Sequence, residues 1–290
     1  PDIVNTHGNM DSKIALTAAY YMDVPCVIRF RHHSHPIRKT WHNRLLYQKF
    51  NHFVFTTAAS ISTQIIKDIG VPQQRVFTLG TGIKPPEKLL SKQDARKNLV
   101  SELGLDFNSR FIGSVAMLRD WKGHLTLIGA FDKIKNIIPD CHLVIVGEGD
   151  FLEELKHDVL KRNICGRVHF TGYKDNPWPY FQAFDCNVLA STINEGIPQV
   201  LLQAMAVRCP VIGTNIGGIP DIICHDETGQ LVDANNSEQM AEKILKVFND
   251  QDFVMQTTKK AFIFVIENYT LDIMGKKTIN IYKQKFLNII

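Results

Sequence analysis

No run of about 18 or more apolar residues occurs in the 290-residue sequence, so nothing in it reads as a membrane-spanning helix. No two of its six cysteines (Cys26, Cys141, Cys165, Cys186, Cys209 and Cys224) make a CxxC pair or a zinc-like spacing. That excludes the common cysteine metal sites and the dithiol redox motif. The cysteines fall singly, most of them in or beside apolar stretches such as Pro25-Cys26-Val27-Ile28. They read as free thiols of a reducing compartment, which predicts a cytoplasmic chain. Internal repeats and low-complexity tracts are missing too. The net charge is only +4, so overall charge names no partner. One stretch does carry a bias: residues 29–44 hold no Asp or Glu, but contain Arg29, Arg31, Arg38, Lys39, Arg44, four histidines and Trp41. None of the usual nucleic-acid-binding modules accompanies it, so no nucleic-acid partner is expected. A phosphorylated or lipid-linked ligand, or an anionic membrane surface, suits it better.

What is present is a soluble-type composition, 44% apolar and 21% charged, over a length that suits two domains. Short apolar runs alternate with helix-period segments, the pattern of parallel βα units and an α/β fold. Strands are predicted over 2–7, 25–30, 52–56 and 75–79, with helices over 13–22, 41–50 and 61–69. Gly80-Thr81-Gly82-Ile83-Lys84-Pro85-Pro86 then opposes any regular element. The pattern restarts with strands over 111–116, 142–146, 167–171, 186–189, 210–213 and 230–232. Helices are expected over 123–136, 151–162, 200–206 and 238–249. Six strands make a complete doubly wound domain; four make only part of one. The predicted organisation is a partial first domain (1–82), a linker region (83–109), a second domain (110–268) and a terminal helix (269–290). Apolar spacing at Tyr282, Phe286 and Leu287 predicts that this helix crosses back to bury against the first domain.

In open parallel sheets, ligands bind beyond the carboxyl ends of the strands, where helix N-termini favour anions. Three post-strand loops of the second domain carry residues fit for a phosphorylated ligand. Met117-Leu118-Arg119-Asp120-Trp121-Lys122-Gly123 brings two cations, which read equally as diphosphate ligands or as a solvated basic loop. Gly147-Glu148-Gly149 allows a tight turn and close backbone approach to a ligand, though taken alone an ordinary βα turn explains it better. Glu195-Gly196-Ile197-Pro198-Gln199-Val200-Leu201-Leu202-Gln203 places an acid before a helix start, with Gln203 eight residues later.

Together with Gly217-Gly218-Ile219-Pro220-Asp221, these segments resemble glycosyltransferase family 4, in order and in spacing, over more than half the chain. The family pattern runs R-L-x-x-x-K-G, then G-x-G, then E-G-x-P with a second Glu, then G-G-x-P-E. Three positions depart from it: Met117 stands for the Arg, with Arg119 the nearest substitute, Gln203 for the second Glu, and Asp221 for the last. The resemblance implies a GT-B fold, two doubly wound Rossmann-like domains facing across a cleft, here with the first incomplete. It also implies that Lys122, with Arg119, meets the diphosphate of a nucleoside diphosphate sugar, and that Glu195 orients the sugar through its hydroxyls. By the same carry-over Gly147 and the backbone of Gly196, Ile197, Pro198, Val200 and Leu201 line the donor, the chain near Tyr173 meets the base, and Gln203 bonds the ribose.

On the acceptor side, Arg29-Phe30-Arg31-His32-His33 is similar to an R-x-R-H segment in members that build bacterial surface glycans. That aligns His32 with the family's catalytic-site histidine, with His33 one residue away as a competitor and His7 and Arg31 beside it. No Asp, Glu or Cys cluster completes a metal set around His33-x-His35. The implied activity is hexosyl transfer with retention, without an obligatory metal or other cofactor, in lipopolysaccharide or surface polysaccharide synthesis at the inner face of the cytoplasmic membrane. Two alternatives stay open: a non-hydrolysing sugar-nucleotide epimerase, and a catalytically dead nucleotide-sugar binding module. The resemblance further implies that an opening strand and glycine-rich loop of the acceptor domain precede residue 1.

Overall fold

A computed structural model describes residues 1–32, 35–193 and 195–286, with side chains through Lys283. Two parallel sheets organise it. The first has the order β1 (Ile3–Thr6), β2 (Cys26–Arg31), β3 (Phe53–Thr56), β4 (Val76–Thr78), with α1 (Asn9–Tyr21), α2 (Trp41–Gln48) and α3 (Ala59–Gln64) as crossovers. A π-turn, Ile65–Ile69, prolongs α3. Cys26, Val27, Ile28, Val54 and Phe55 are almost wholly buried, as parallel strands covered on both faces require.

The second sheet has six strands: β5 (Arg110–Val115), β6 (Cys141–Val146), β7 (Val168–Gly172), β8 (Cys186–Leu189), β9 (Val211–Thr214) and β10 (Gln230–Val232). Their order in space is β10-β9-β8-β5-β6-β7. The helices are α4 (Lys92–Leu103), α5 (His124–Ile134), α6 (Leu152–Lys161), α7 (Trp178–Ala183), α8 (Gln199–Ala206), α9 (Ser237–Asn249), α10 (Gln251–Asn268) and α11 (Leu271–Phe286).

Three helices stand where the sequence reading placed none: α4, the short α7 and α10. The span 83–109, expected as linker, contains α4, capped by the Ser91 hydroxyl and packed on α7. Arg96 holds that packing by reaching Asp185, at 3.0 Å and 3.1 Å. The stretch 251–268, left without an element, is the 18-residue helix α10, which packs on α8. Its buried face carries Thr257 and Thr258, whose hydroxyls donate to the carbonyls of Phe253 (2.8 Å) and Val254 (2.6 Å) one turn back. Polar residues satisfied in this way hide a buried helix face from apolar-periodicity reasoning.

One apolar cluster runs through both halves, from Val54, Ala58 and Ile61 to Ile197, Leu201 and Ile219. The chain turns back beside the segment after β4 at Tyr269–Leu271, where the Ile83 N–H donates to the Tyr269 carbonyl (2.7 Å) and the Leu271 N–H to that of Ile83 (3.0 Å). Helix α11 then brings Ile281 and Tyr282 onto Cys26, Ile28, Phe53, Phe55 and Leu79, with the Tyr282 ring 6.1 Å from that of Phe55. The Phe286 side chain and Leu287 lie outside the described residues. Tyr282→Ala is expected to lower stability by about 1–3 kcal/mol, the range for losing a large, partly buried aromatic. Truncation after Thr270 should lower the melting temperature further; an unchanged melting curve in both variants would show that α11 contributes nothing to the first domain.

Candidate active site

In the second sheet, β5 lies between β6, the next strand in sequence, and β8. This is where the strand order switches direction, and such switch points open a crevice beyond the carboxyl ends of the strands. The loops leaving β5 and β8 bring opposite charges into it. Lys122 ends a 3₁₀ turn after β5, and Glu195 follows β8. Lys122 Nζ and Glu195 Oε1 form an ion pair with side chains only 16% and 10% exposed. The Ser191 hydroxyl donates to the same Oε1, at 2.5 Å. Ser191 is fixed in turn, since the Thr214 hydroxyl donates to its carbonyl at 2.6 Å. The Thr192 N–H donates to the Trp121 carbonyl at 2.8 Å, tying the two loops together. Charges this far from water are held only by partners of this quality, so the pair marks the crevice as a place built to keep a cation and a carboxylate. Ser191 escaped the sequence reading although it stands four residues before Glu195.

Directly after Lys122-Gly123, His124 is 1% exposed, with Nε2 3.3 Å from the Met117 carbonyl. Burial pushes its pKa down to about 4, and the Lys122 charge adds to the shift. The unfolded chain, with a histidine near 6.5, therefore binds more protons than the folded chain between these values. Stability from the neutral ring is complete above about pH 6.5 and is lost as pH falls towards 4. His142 moves the same way, to about 4, chiefly through burial. We expect the unfolding free energy from urea titrations to fall across that window, by about 1.4 kcal/mol per pH unit for each such group at the steepest. His124→Gln should flatten the profile, and an identical profile would remove His124 from the balance.

The remaining donor-side candidates are distributed unevenly. Arg119 pairs with Asp150, the residue after Gly149, and both side chains reach solvent. Gly147, at φ +147°, would place a Cβ 1.9 Å from the Ala116 carbonyl oxygen, so its bare Cα serves the contact between the β5 and β6 loops. Tyr173 is 62% exposed beyond β7. Ile197, Pro198 and Leu201 are buried, Ile197 and Leu201 in the cluster shared by both halves. Val200 and Gln203 are half-buried on α8, and Gln203 hydrogen-bonds no other described side chain.

The first domain meets this crevice closely. A Cβ on Gly196 would lie 3.0 Å from the Thr57 hydroxyl and 3.1 Å from the His32 carbonyl oxygen. Gly218 similarly has room for no side chain between Gly196 and Ala58. The Ala59 N–H, at the start of α3, donates to the Asp221 carboxylate of the second domain at 2.6 Å. Burial raises the Asp221 pKa, partly offset by that bond. His7 Nδ1 and His32 Nε2 are 2.9 Å apart, and both rings stack with Phe30. Thus His32 adjoins the loop that carries Glu195 and His7 pairs with His32, whereas His33 lies outside the described residues. Arg31 is held by Tyr47, through Nη1 to the hydroxyl at 3.2 Å, and by the His35 carbonyl. The basic stretch is not a single solvated face: Arg29 is 5% exposed and Arg31 half-buried, while Arg38, Lys39 and Arg44 are exposed. Among the described residues no group of three His, Cys, Asp or Glu side chains could hold a metal ion, and no helix is long and apolar enough to cross a membrane.

The pattern of the family described as glycosyl transferases group 1 matches residues 95–263. The chain belongs to that family. It is 28% identical, over 79% of its length, to an uncharacterised glycosyltransferase of Methanocaldococcus jannaschii, of which it covers 59%. It is 26% identical over 86% of its length to the Escherichia coli UDP-Gal:alpha-D-GlcNAc-diphosphoundecaprenol alpha-1,3-galactosyltransferase, covering 67% of that protein. The chain thus spans about three-fifths to two-thirds of these relatives. The crystal structure of Anabaena HepE in complex with UDP superimposes with a TM-score of 0.85, at 18% identity, over 98% of this chain and 79% of that one. The architecture is GT-B, with two Rossmann-like domains.

Proposed function

We propose that this chain carries the donor site and part of the acceptor site of a retaining glycosyltransferase of family 4. It moves a hexosyl unit from a nucleoside diphosphate sugar to a hydroxyl of a glycan or lipid-linked acceptor. The observation that carries the reading is the buried Lys122–Glu195 pair, with Ser191, at the switch point of the second sheet. When the donor binds, the Lys122 ammonium turns to the diphosphate, and the freed Glu195 carboxylate accepts hydrogen bonds from the sugar hydroxyls. The bond between the anomeric carbon and the diphosphate oxygen breaks as the acceptor oxygen bonds that carbon on the same face. The acceptor proton passes to the leaving diphosphate. No covalent enzyme intermediate is required. Gln203 takes the ribose, Tyr173 and its loop the base, and the His7–His32 pair borders the acceptor. The E. coli relative acts, by its name, on a diphosphoundecaprenol-linked sugar, and surface-glycan assembly at the inner face of the cytoplasmic membrane is the corresponding role here.

The test is a thermal-shift panel of UDP-, GDP- and ADP-sugars with the chain. One nucleotide series is expected to raise the melting temperature; at a hundred times Kd, ligand adds about 2.7 kcal/mol of stability. A flat response to every nucleotide sugar would reject the donor site.

A further inference from the structure

A cavity of about 1120 Å³ lies in the first domain between α1 and α2, beyond the carboxyl ends of β1 and β2. Lys13, Arg29, Arg31 and Arg38 line it, and no Asp or Glu does among the described residues. Arg29 and Arg31 stand two apart on β2 and so point to the same face of the sheet. Arg29 is 95% buried, given its 5% exposure, and its guanidinium lies 4.2 Å from the centre of the Tyr47 ring. Its Nη1 and the Nε of Arg31 are buried and have no hydrogen-bond partner among the described residues. Asp11, whose carboxylate acts on Arg29 electrostatically, is already occupied by the N–H groups of His7 and Gly8 (2.9 Å each) and Ser12 (2.7 Å).

Buried guanidinium donors left unpaired are expensive, and a second cation two residues away raises the penalty. Burial, with Arg31 as a like charge, accordingly holds the Arg29 pKa below the usual arginine range. The same cavity is walled by His7 and His32, and the main chain of His32 approaches Gly196 beside the Lys122–Glu195 pair. An anion seated on the arginines would sit next to the place of transfer. Phenyl and indole surfaces of Phe30, Phe50 and Trp41 complete the lining, so the cavity offers charge at one wall and apolar surface at others.

We infer that Arg29 and Arg31 form a phosphoryl-binding subsite that seats a phosphate or diphosphate group carried by the acceptor. Planar guanidinium forks match phosphoryl oxygens and supply the donors that the fold leaves unused. This rests on the glycosyl-transfer reading, since that reading makes the cavity an acceptor site.

The test uses the whole chain, first saturated with the nucleoside diphosphate that stabilises it, so that Lys122 is occupied. Inorganic pyrophosphate titrated by calorimetry is expected to bind in addition. Arg29→Gln should weaken that binding at least about tenfold while leaving nucleoside diphosphate affinity unchanged. Because Arg29 is buried and its variant can misfold, Arg31→Gln, at a half-buried position, is measured beside it with the same expectation. Farnesyl diphosphate should displace pyrophosphate, and phosphatidylglycerol vesicles should not. No pyrophosphate binding above the nucleotide, binding untouched by either substitution, or displacement by vesicles as effective as by farnesyl diphosphate would overturn the subsite. A chain that binds nucleotide but no pyrophosphate loses only this inference; one that binds pyrophosphate but no nucleotide loses the transfer reading, and the acceptor assignment falls with it.

Discussion

Replacing Glu195 with alanine is expected to lower sugar transfer at least about a hundredfold, the scale seen when a positioned group facing developing charge is removed. Glu195 is 7% exposed and its carboxylate is shared between Lys122 and Ser191, so no water can replace it at low energetic cost. Its loss also strands a mostly buried ammonium, which should reduce stability by about 3 kcal/mol. Turnover must therefore be compared at a temperature where both proteins are folded. Glu195→Gln keeps an oxygen for the Ser191 hydroxyl and removes the charge, so it separates the two effects: stability should recover more than turnover. Near-normal transfer by the alanine variant would remove Glu195 from the chemistry.

Lys122→Ala is expected to weaken nucleoside diphosphate binding tenfold to about a hundredfold. A hydrogen bond to a charged group contributes about 1.5–3 kcal/mol, and each 1.4 kcal/mol is a factor of ten in affinity. The substitution leaves Glu195 buried and uncompensated beside the arriving diphosphate, so repulsion adds to the loss. Calorimetry with the nucleoside diphosphate alone, without sugar or acceptor, reads this directly. Unchanged affinity would reassign Lys122 to a structural ion pair. Removing both partners should restore much of the stability while leaving donor binding weak, because the uncompensated charge disappears but the diphosphate contact does not return.

Much of the candidate site was legible because its determinants are short and local. Lys122-Gly123, Gly147-x-Gly149, Glu195-Gly196-x-Pro198 and Gly217-Gly218-x-Pro220 each follow an apolar strand, and strand–loop–helix order places such residues at one end of a parallel sheet. Helix α4 was obscured by its charged composition beside the prolines, and α10 by threonines on its buried face. Arg119 read equally as a diphosphate cation or a solvated loop residue; only the fold revealed Asp150 as its neighbour, 31 residues further along the chain.

Sequence alone determined the alternating α/β plan, the positions of the post-strand loops, and the charged and glycine residues those loops carry. Those follow from periodicity and from side-chain chemistry, both of which act over a few residues. The tertiary structure alone decided which charges meet. Lys122 and Glu195 are 73 residues apart and touch because β5 and β8 are neighbours across the switch point. Asp221 reaches Ala59 across 162 residues because the two domains close on Gly196 and Gly218. Arg29, one of several cations in a basic stretch, became a buried group with an unused donor because β2 carries it beneath Tyr47. Strand order, domain contact and burial are set by packing of distant segments, and no local pattern encodes them.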